Sequence, residues 1–250
     1  MLLNCFMDKK ELKKIIKRIS DFTVSELKEK GLISLYLSGT ILTKDRTPQS
    51  DIDIFGIVTS NFDIIKEENK INNKFEENEK ELCGGIETRF RGIGIDELEG
   101  GKPRGVLAKY VGLEVLIKKF PFFKKLWGED IDFSKFPIKP LKAREEAKKE
   151  IKTIEKFLEK LKKDEELFPI QNFPKSILYL ARIEAEQDYG FQFDPSYTKL
   201  TRHLQKERNH IVHKAMRLRD KKVTKEDILQ IEDEVEAYIK HIKKRLKDWG

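Results

Sequence analysis

The stretch Leu35 to Val58, LYLSGTILTKDRTPQSDIDIFGIV, constrains this chain more than any other. An apolar run breaks at Ser38-Gly39-Thr40, crosses a polar loop and resumes as an alternating run in which Asp51 and Asp53 stand two residues apart. Alternation of period two marks a strand with unlike faces. The stretch therefore predicts a strand, a turn and a second strand, with Asp51 and Asp53 projecting from one side and Ile52 and Ile54 from the other.

Two carboxylates held this close repel one another unless a cation lies between them. Their hard oxygens suit Mg²⁺, which keeps several waters and completes its shell with substrate phosphates. Upstream, Gly39 lets the backbone approach a ligand closely, and the hydroxyls of Ser38 and Thr40 can bond phosphate oxygens. The same residues also fit a plainer description, a hairpin-like loop with an exposed acidic pair.

The flanking sequence reads as support. Leu12, Ile15, Ile16, Ile19 and Phe22 recur at helical spacing between Asp8 and Lys30, with Gly31 placed to stop the helix. The polar segment from Asn61 to Lys80 carries Ile64, Ile65, Ile71 and Phe75, enough for a second helix. Cys83 to Arg91 alternates again and predicts a third strand bearing Glu87. If that strand is regular, Arg89 shares the face of Glu87 and is placed to bind phosphate; a simple pairing of Glu87 with Arg89 or Arg91 is the alternative. Val106 to Lys118 reads as one helix, and the aromatic run from Phe120 to Gly128 as core rather than a ligand-stacking box. Pro121, Pro137 and Pro140 punctuate this region and set a boundary near Pro137. Beyond it, apolar stripes predict four helices with short links over 142–163, 175–189, 197–219 and 224–247. The last opens on a Thr224/Asp227 capping box with Val223 and Ile228 as a hydrophobic staple.

Gly39-Thr40, followed after the loop by Ser50-Asp51-Ile52-Asp53 and apolar Ile54 and Phe55, resembles the signature of the polymerase-beta-like nucleotidyltransferase superfamily. The wording TPQSDIDIF is most similar to the aminoglycoside adenylyltransferases, although family members usually carry Gly-Ser where this chain has Gly39-Thr40. The resemblance implies an α/β (α+β) nucleotidyltransferase domain with a mixed sheet over 1–136, including a brief edge strand near Gly128. An all-α antiparallel helical bundle over 137–250 follows it. It also implies transfer of a nucleoside monophosphate, AMP from ATP, to an acceptor hydroxyl on a small molecule bound between the domains. One or two Mg²⁺ ions would be held by Asp51 and Asp53, and Glu87 would be either a further metal ligand or the general base. Ser38, Gly39, Thr40, Ser50 and Arg89 would contact the nucleotide. Glu184, Glu186 and Asp188 would receive a cationic acceptor, or serve as plain surface charges.

A second constellation, Arg208-Asn209-x-x-x-His213, resembles the motif of the HEPN helical domains, many of them RNases, and on one helix face it would act on a scissile phosphate. A toxin–antitoxin-type module that modifies a protein or cuts RNA is thus an alternative, as is a non-catalytic nucleotide-binding protein. Composition narrows the classes further. Lys and Arg total 51 against 44 acids, a net charge of +7 that favours anionic partners such as ATP or RNA, yet the acids are interspersed as in a solvated Lys/Glu surface. No apolar run reaches the length of about 18 residues that a membrane span needs. The start is too quickly charged for a signal peptide, and Cys5 and Cys83 make neither a metal spacing nor a disulfide framework. The expectation is a cytoplasmic protein.

Overall fold

The computed structural model describes residues 8–43, 45–47, 50–163 and 170–249, with only the backbone of Tyr110. Cys5 and the Pro48-Gln49 of the TPQSDIDIF stretch lie outside them. The chain divides into two compact units, Met1–Pro140 and Leu141–Gly250. Among the described residues no helix is long and apolar enough to cross a membrane.

In the first unit, α1 (Lys9–Leu27) starts at Asp8, whose carboxylate accepts from the Lys10 amide, and ends in a short turn closed by Gly31 at φ 114°. β1 (Leu32–Ser38) follows, then β2 (Ile52–Val58), antiparallel to it from Leu32↔Val58 to Ser38↔Asp53. α2 (Ile64–Glu77), capped by the Asp63 side chain, returns the chain so that β3 (Thr88–Gly94) pairs with β2 in parallel. A parallel pair demands such a crossover. The third strand is shorter than the sequence predicts: Gly84 and Gly85 take φ of 62° and 74°, turning the chain before pairing begins at Thr88.

The short helices α3 (Ile95–Leu98), α4 (Val106–Tyr110) and α5 (Leu113–Leu116) come next. The single helix expected over 106–118 is instead two, because Gly112 adopts φ 88° and breaks it. β4 (Lys124–Gly128) closes a four-stranded mixed sheet of order β3-β2-β1-β4, with β4 antiparallel to β1 at the far edge.

The alternation of the strands sorts their side chains onto two layers. Leu35, Leu37, Ile52, Ile54 and Phe90 pack against Ile15, Ile19 and Leu27 of α1 and Ile64, Ile71 and Phe75 of α2. Tyr36, Phe55, Ile57 and Ile93 pack on the other face with Leu98, Leu113, Leu116 and Phe120. There Phe120 stacks on Phe133 with centroids 4.1 Å apart and meets Phe55 edge-on at 5.9 Å. Phe120 is therefore core, with Phe123 and Trp127 packed partly buried against the two layers, while Phe122 is exposed. Burial of each such large side chain is worth about 1.5–3 kcal/mol.

The second unit is helical: α6 (Ala143–Lys162), α7 (Phe173–Asp188), α8 (Tyr197–His203), α9 (Ile211–Arg219), α10 (Lys225–Leu229) and α11 (Glu232–Arg245). α7 lies against α6 and α9, with Ile177, Leu178, Leu180 and Ala181 wholly buried. Two of the expected helices are broken. The segment 197–219 is interrupted before His210, which caps α9 with its own imidazole, and 224–247 is interrupted at Gln230-Ile231. The Thr224/Asp227 capping box is present, and Val223 and Ile228 are both buried.

β3 is an edge strand, and Asn72 of α2 covers it: the Phe90 amide donates to Asn72 Oδ1 at 2.7 Å and Asn72 Nδ2 donates to the Phe90 carbonyl at 3.2 Å. Asn72→Ala leaves both backbone groups without their partner, and a loss of about 1–3 kcal/mol is expected. Chemical denaturation of the full chain measures it.

Candidate functional site

The antiparallel register sets Ser38, the last residue of β1, directly opposite Asp53. The parallel register sets Arg89 directly opposite Asp53 on its other side. Residues opposite one another share a face, so Ser38, Asp53 and Arg89 form one row at the end of the sheet, continuous with the Tyr36–Phe55–Ile57 layer. Ile52 and Ile54, pointing the other way, are buried in the α1/α2 layer and fix this orientation. A one-residue slip would turn the carboxylate into that core.

Immediately after Ser38 the chain bends at Gly39, φ 83°, where a Cβ would lie 2.9 Å from Asp53 Oδ2. Glycine answers two demands here: a left-handed backbone, and space for the carboxylate. Thr40 opens the next turn, and its hydroxyl donates to Ser50 Oγ at 3.2 Å. Ser50 Oγ also accepts from the Thr47 amide at 2.8 Å. Ser50 thus ties the two ends of the loop together and holds Thr40 beside the strand that carries Asp53. Sequence reasoning passed over Asp45, which is buried in the same loop and accepts from Thr43 Oγ1 at 2.9 Å. Its signal is local, a threonine two residues before an aspartate in a turn-forming stretch.

Asp51 and Asp53 are both half-buried, whereas Glu87 is largely exposed just before β3. The Ile52 amide donates to the Glu87 carbonyl at 2.8 Å, which holds Glu87 beside the start of β2. Its carboxylate is ion-paired with the Arg89 guanidinium. Burial works against the charge on Arg89, but the hydrogen bond to Glu87 and the charges of Glu87, Asp51 and Asp53 outweigh it and hold its pKa above the usual arginine value. Among the described residues no three His, Cys, Asp or Glu side chains are grouped so as to hold a metal ion. Asp51 and Asp53 offer hard oxygens from one strand; Glu87 is turned to Arg89. A cavity of about 540 Å³ adjoins this pair, lined by Asn69, Asn72, Glu76, Glu87 and Arg89 among others.

In the second unit Glu184, Arg208, Asn209 and His213 line a cavity of about 680 Å³, whereas Glu186 and Asp188 do not. Glu184 is 2% exposed and is no surface charge. It accepts from Tyr238 Oη at 2.6 Å and meets His210 Nε2 at 2.9 Å and His241 Nε2 at 3.3 Å. Glu186 is half-buried, and Asp188 is paired with Arg245 at 2.8 Å. Arg208 and Asn209 are exposed and precede α9, so Asn209 and His213 do not share a helix face. His213 Nε2 lies 3.2 and 3.1 Å from the Leu204 and Glu207 carbonyls, bracing the segment between α8 and α9.

Gly39→Ala should cost about 1–3 kcal/mol from the strained φ alone and displace Asp53, an effect read by thermal unfolding together with nucleotide binding. Tyr238→Phe should destabilise the second unit by about 1–3 kcal/mol, since buried Glu184 loses a donor; a lowered melting temperature checks it.

No family model matches the chain, and no curated protein matches it. Among solved structures, the spectinomycin adenyltransferase AAD(9) from Enterococcus faecialis, determined with ATP and spectinomycin, is similar at a TM-score of 0.53. The two are 15% identical over 96% of this chain and 100% of that one. The chain therefore shares the fold of that adenyltransferase, a mixed-sheet unit followed by a helical one.

Proposed function

We propose that this protein is a nucleotidyltransferase that moves AMP from ATP to a hydroxyl group of a small-molecule acceptor. The observation that carries the reading is the juxtaposition of the Gly39 bend with the Asp53 carboxylate, 2.9 Å from where a Cβ would stand, at the open end of a sheet face. A glycine bend of this kind leaves room for phosphate oxygens, and the neighbouring carboxylates offer the hard oxygens that a divalent ion requires. The fold neighbour, an adenyltransferase solved with ATP and spectinomycin, supports ATP as donor and a small molecule as acceptor.

Asp51 and Asp53 are the residues that would hold Mg²⁺, whose chemistry when bound is to neutralise and orient the triphosphate. Ser38, Gly39 and Thr40 position the phosphates from the β1 side, with Ser50 keeping Thr40 in place. Glu87 would either complete the metal's ligand set or accept the proton of the acceptor hydroxyl; the hydroxyl oxygen of the acceptor forms the bond to the α-phosphorus as the bond to pyrophosphate breaks. Most of the rate enhancement in such a site comes from positioning and charge stabilisation.

Full-length protein, Mg²⁺, ATP labelled at the α-phosphate and a cell extract make the test. Label on a small molecule supports the reading. Label on a polypeptide, or RNA cleavage lost on His213→Ala, favours the toxin-type alternative. Asp53→Asn should leave a folded protein with activity reduced by about three orders of magnitude or more; normal turnover in that variant sinks the assignment.

A further inference from the structure

Arg89 occupies an instructive position. It stands directly across from Asp53, is ion-paired with Glu87, and feels the charges of Asp51, Asp53 and Glu87 together. The Arg89 guanidinium therefore lies within electrostatic reach of three carboxylates, Asp51, Asp53 and Glu87. The Arg89 and Glu87 side chains are 49% and 62% exposed. Pairs in such contact with water exchange partners easily, because solvent screens them. Among the described residues β3 is also an edge strand.

We propose that Arg89 is a positioning residue that holds the place of the divalent cation. Without nucleotide, its guanidinium neutralises the carboxylate face and engages Glu87. When a metal-bound triphosphate enters, Arg89 releases Glu87 and turns to the phosphate oxygens. Guanidinium suits both partners, since its planar fork matches carboxylate and phosphate alike. No covalent bond and no proton moves in the exchange. The consequence is that the site admits metal together with nucleotide and resists metal alone. This inference rests on the nucleotidyltransferase reading.

The test uses the full chain as wild type, Arg89→Gln, Arg89→Lys, Asp53→Asn and the Arg89→Gln/Asp53→Asn double variant. Each is titrated with Mn²⁺ alone, with free ion read by electron paramagnetic resonance, and with Mn²⁺ plus a non-hydrolysable ATP analogue. Arg89→Gln is expected to bind Mn²⁺ alone about fivefold more tightly than wild type, as removal of one screened charge predicts. Arg89→Lys should stay near wild type, the gain should vanish in the double variant, and Arg89→Gln should bind the metal–nucleotide pair more weakly. Unchanged Mn²⁺ affinity in folded Arg89→Gln, with nucleotide binding still dependent on Asp53, overturns the place-holder role and leaves the enzyme reading standing. Binding of Mn²⁺ and nucleotide by Asp53→Asn as in wild type overturns both.

Discussion

Everything at the site depends on one register. Pairing Ser38 with Asp53 across β1 and β2 brings the glycine bend against the carboxylate, and pairing Asp53 with Arg89 brings the guanidinium to the other side. The register is specified by the layer beneath: Leu35, Leu37, Ile52 and Ile54 bury themselves against α1 and α2, and shifting any strand by one residue would exchange core for site. Apolar burial, worth several kilocalories per mole over these residues, thus fixes the position of charges that would otherwise repel.

The helical unit solves a different problem. Glu184 is a carboxylate taken almost wholly out of water, a costly move unless its oxygens are bonded. Tyr238, His210 and His241 provide that bonding from α11 and from the start of α9. The pKa of Tyr238 is driven well above its usual value, first by burial and then by the Glu184 charge, so the phenol stays a donor. A polar cluster of this kind ties three helices together where an apolar core would leave their rotation less determined.

The hairpin and its acidic pair were legible because their determinants are local: period-two alternation, one glycine, two aspartates. The crossover helix, the aromatic core and the Thr224 cap were legible for the same reason. The interruption between α8 and α9 was not. The stretch from Tyr197 to Arg219 reads as one helix, but the chain leaves the helix after His203 and re-enters it at Ile211, where His210 meets Glu184, remote in sequence. That override turned the Arg208-Asn209-His213 spacing from a helical face into a loop and a helix start. The Gly112 break carried a visible signal, a glycine mid-pattern, that periodicity outvoted. At the site, the engagement of Glu87 by Arg89 was open in the sequence because Arg91 was an equal candidate; Arg91 instead approaches Glu68 at 3.7 Å.

The start of α9 carries a further implication. The Val212 amide donates to His210 Nδ1 at 3.0 Å, so that nitrogen keeps its lone pair and the ring proton resides on Nε2, aimed at Glu184. One imidazole therefore joins the first turn of α9 to the buried carboxylate of α7, so neither helix can shift without disturbing the other.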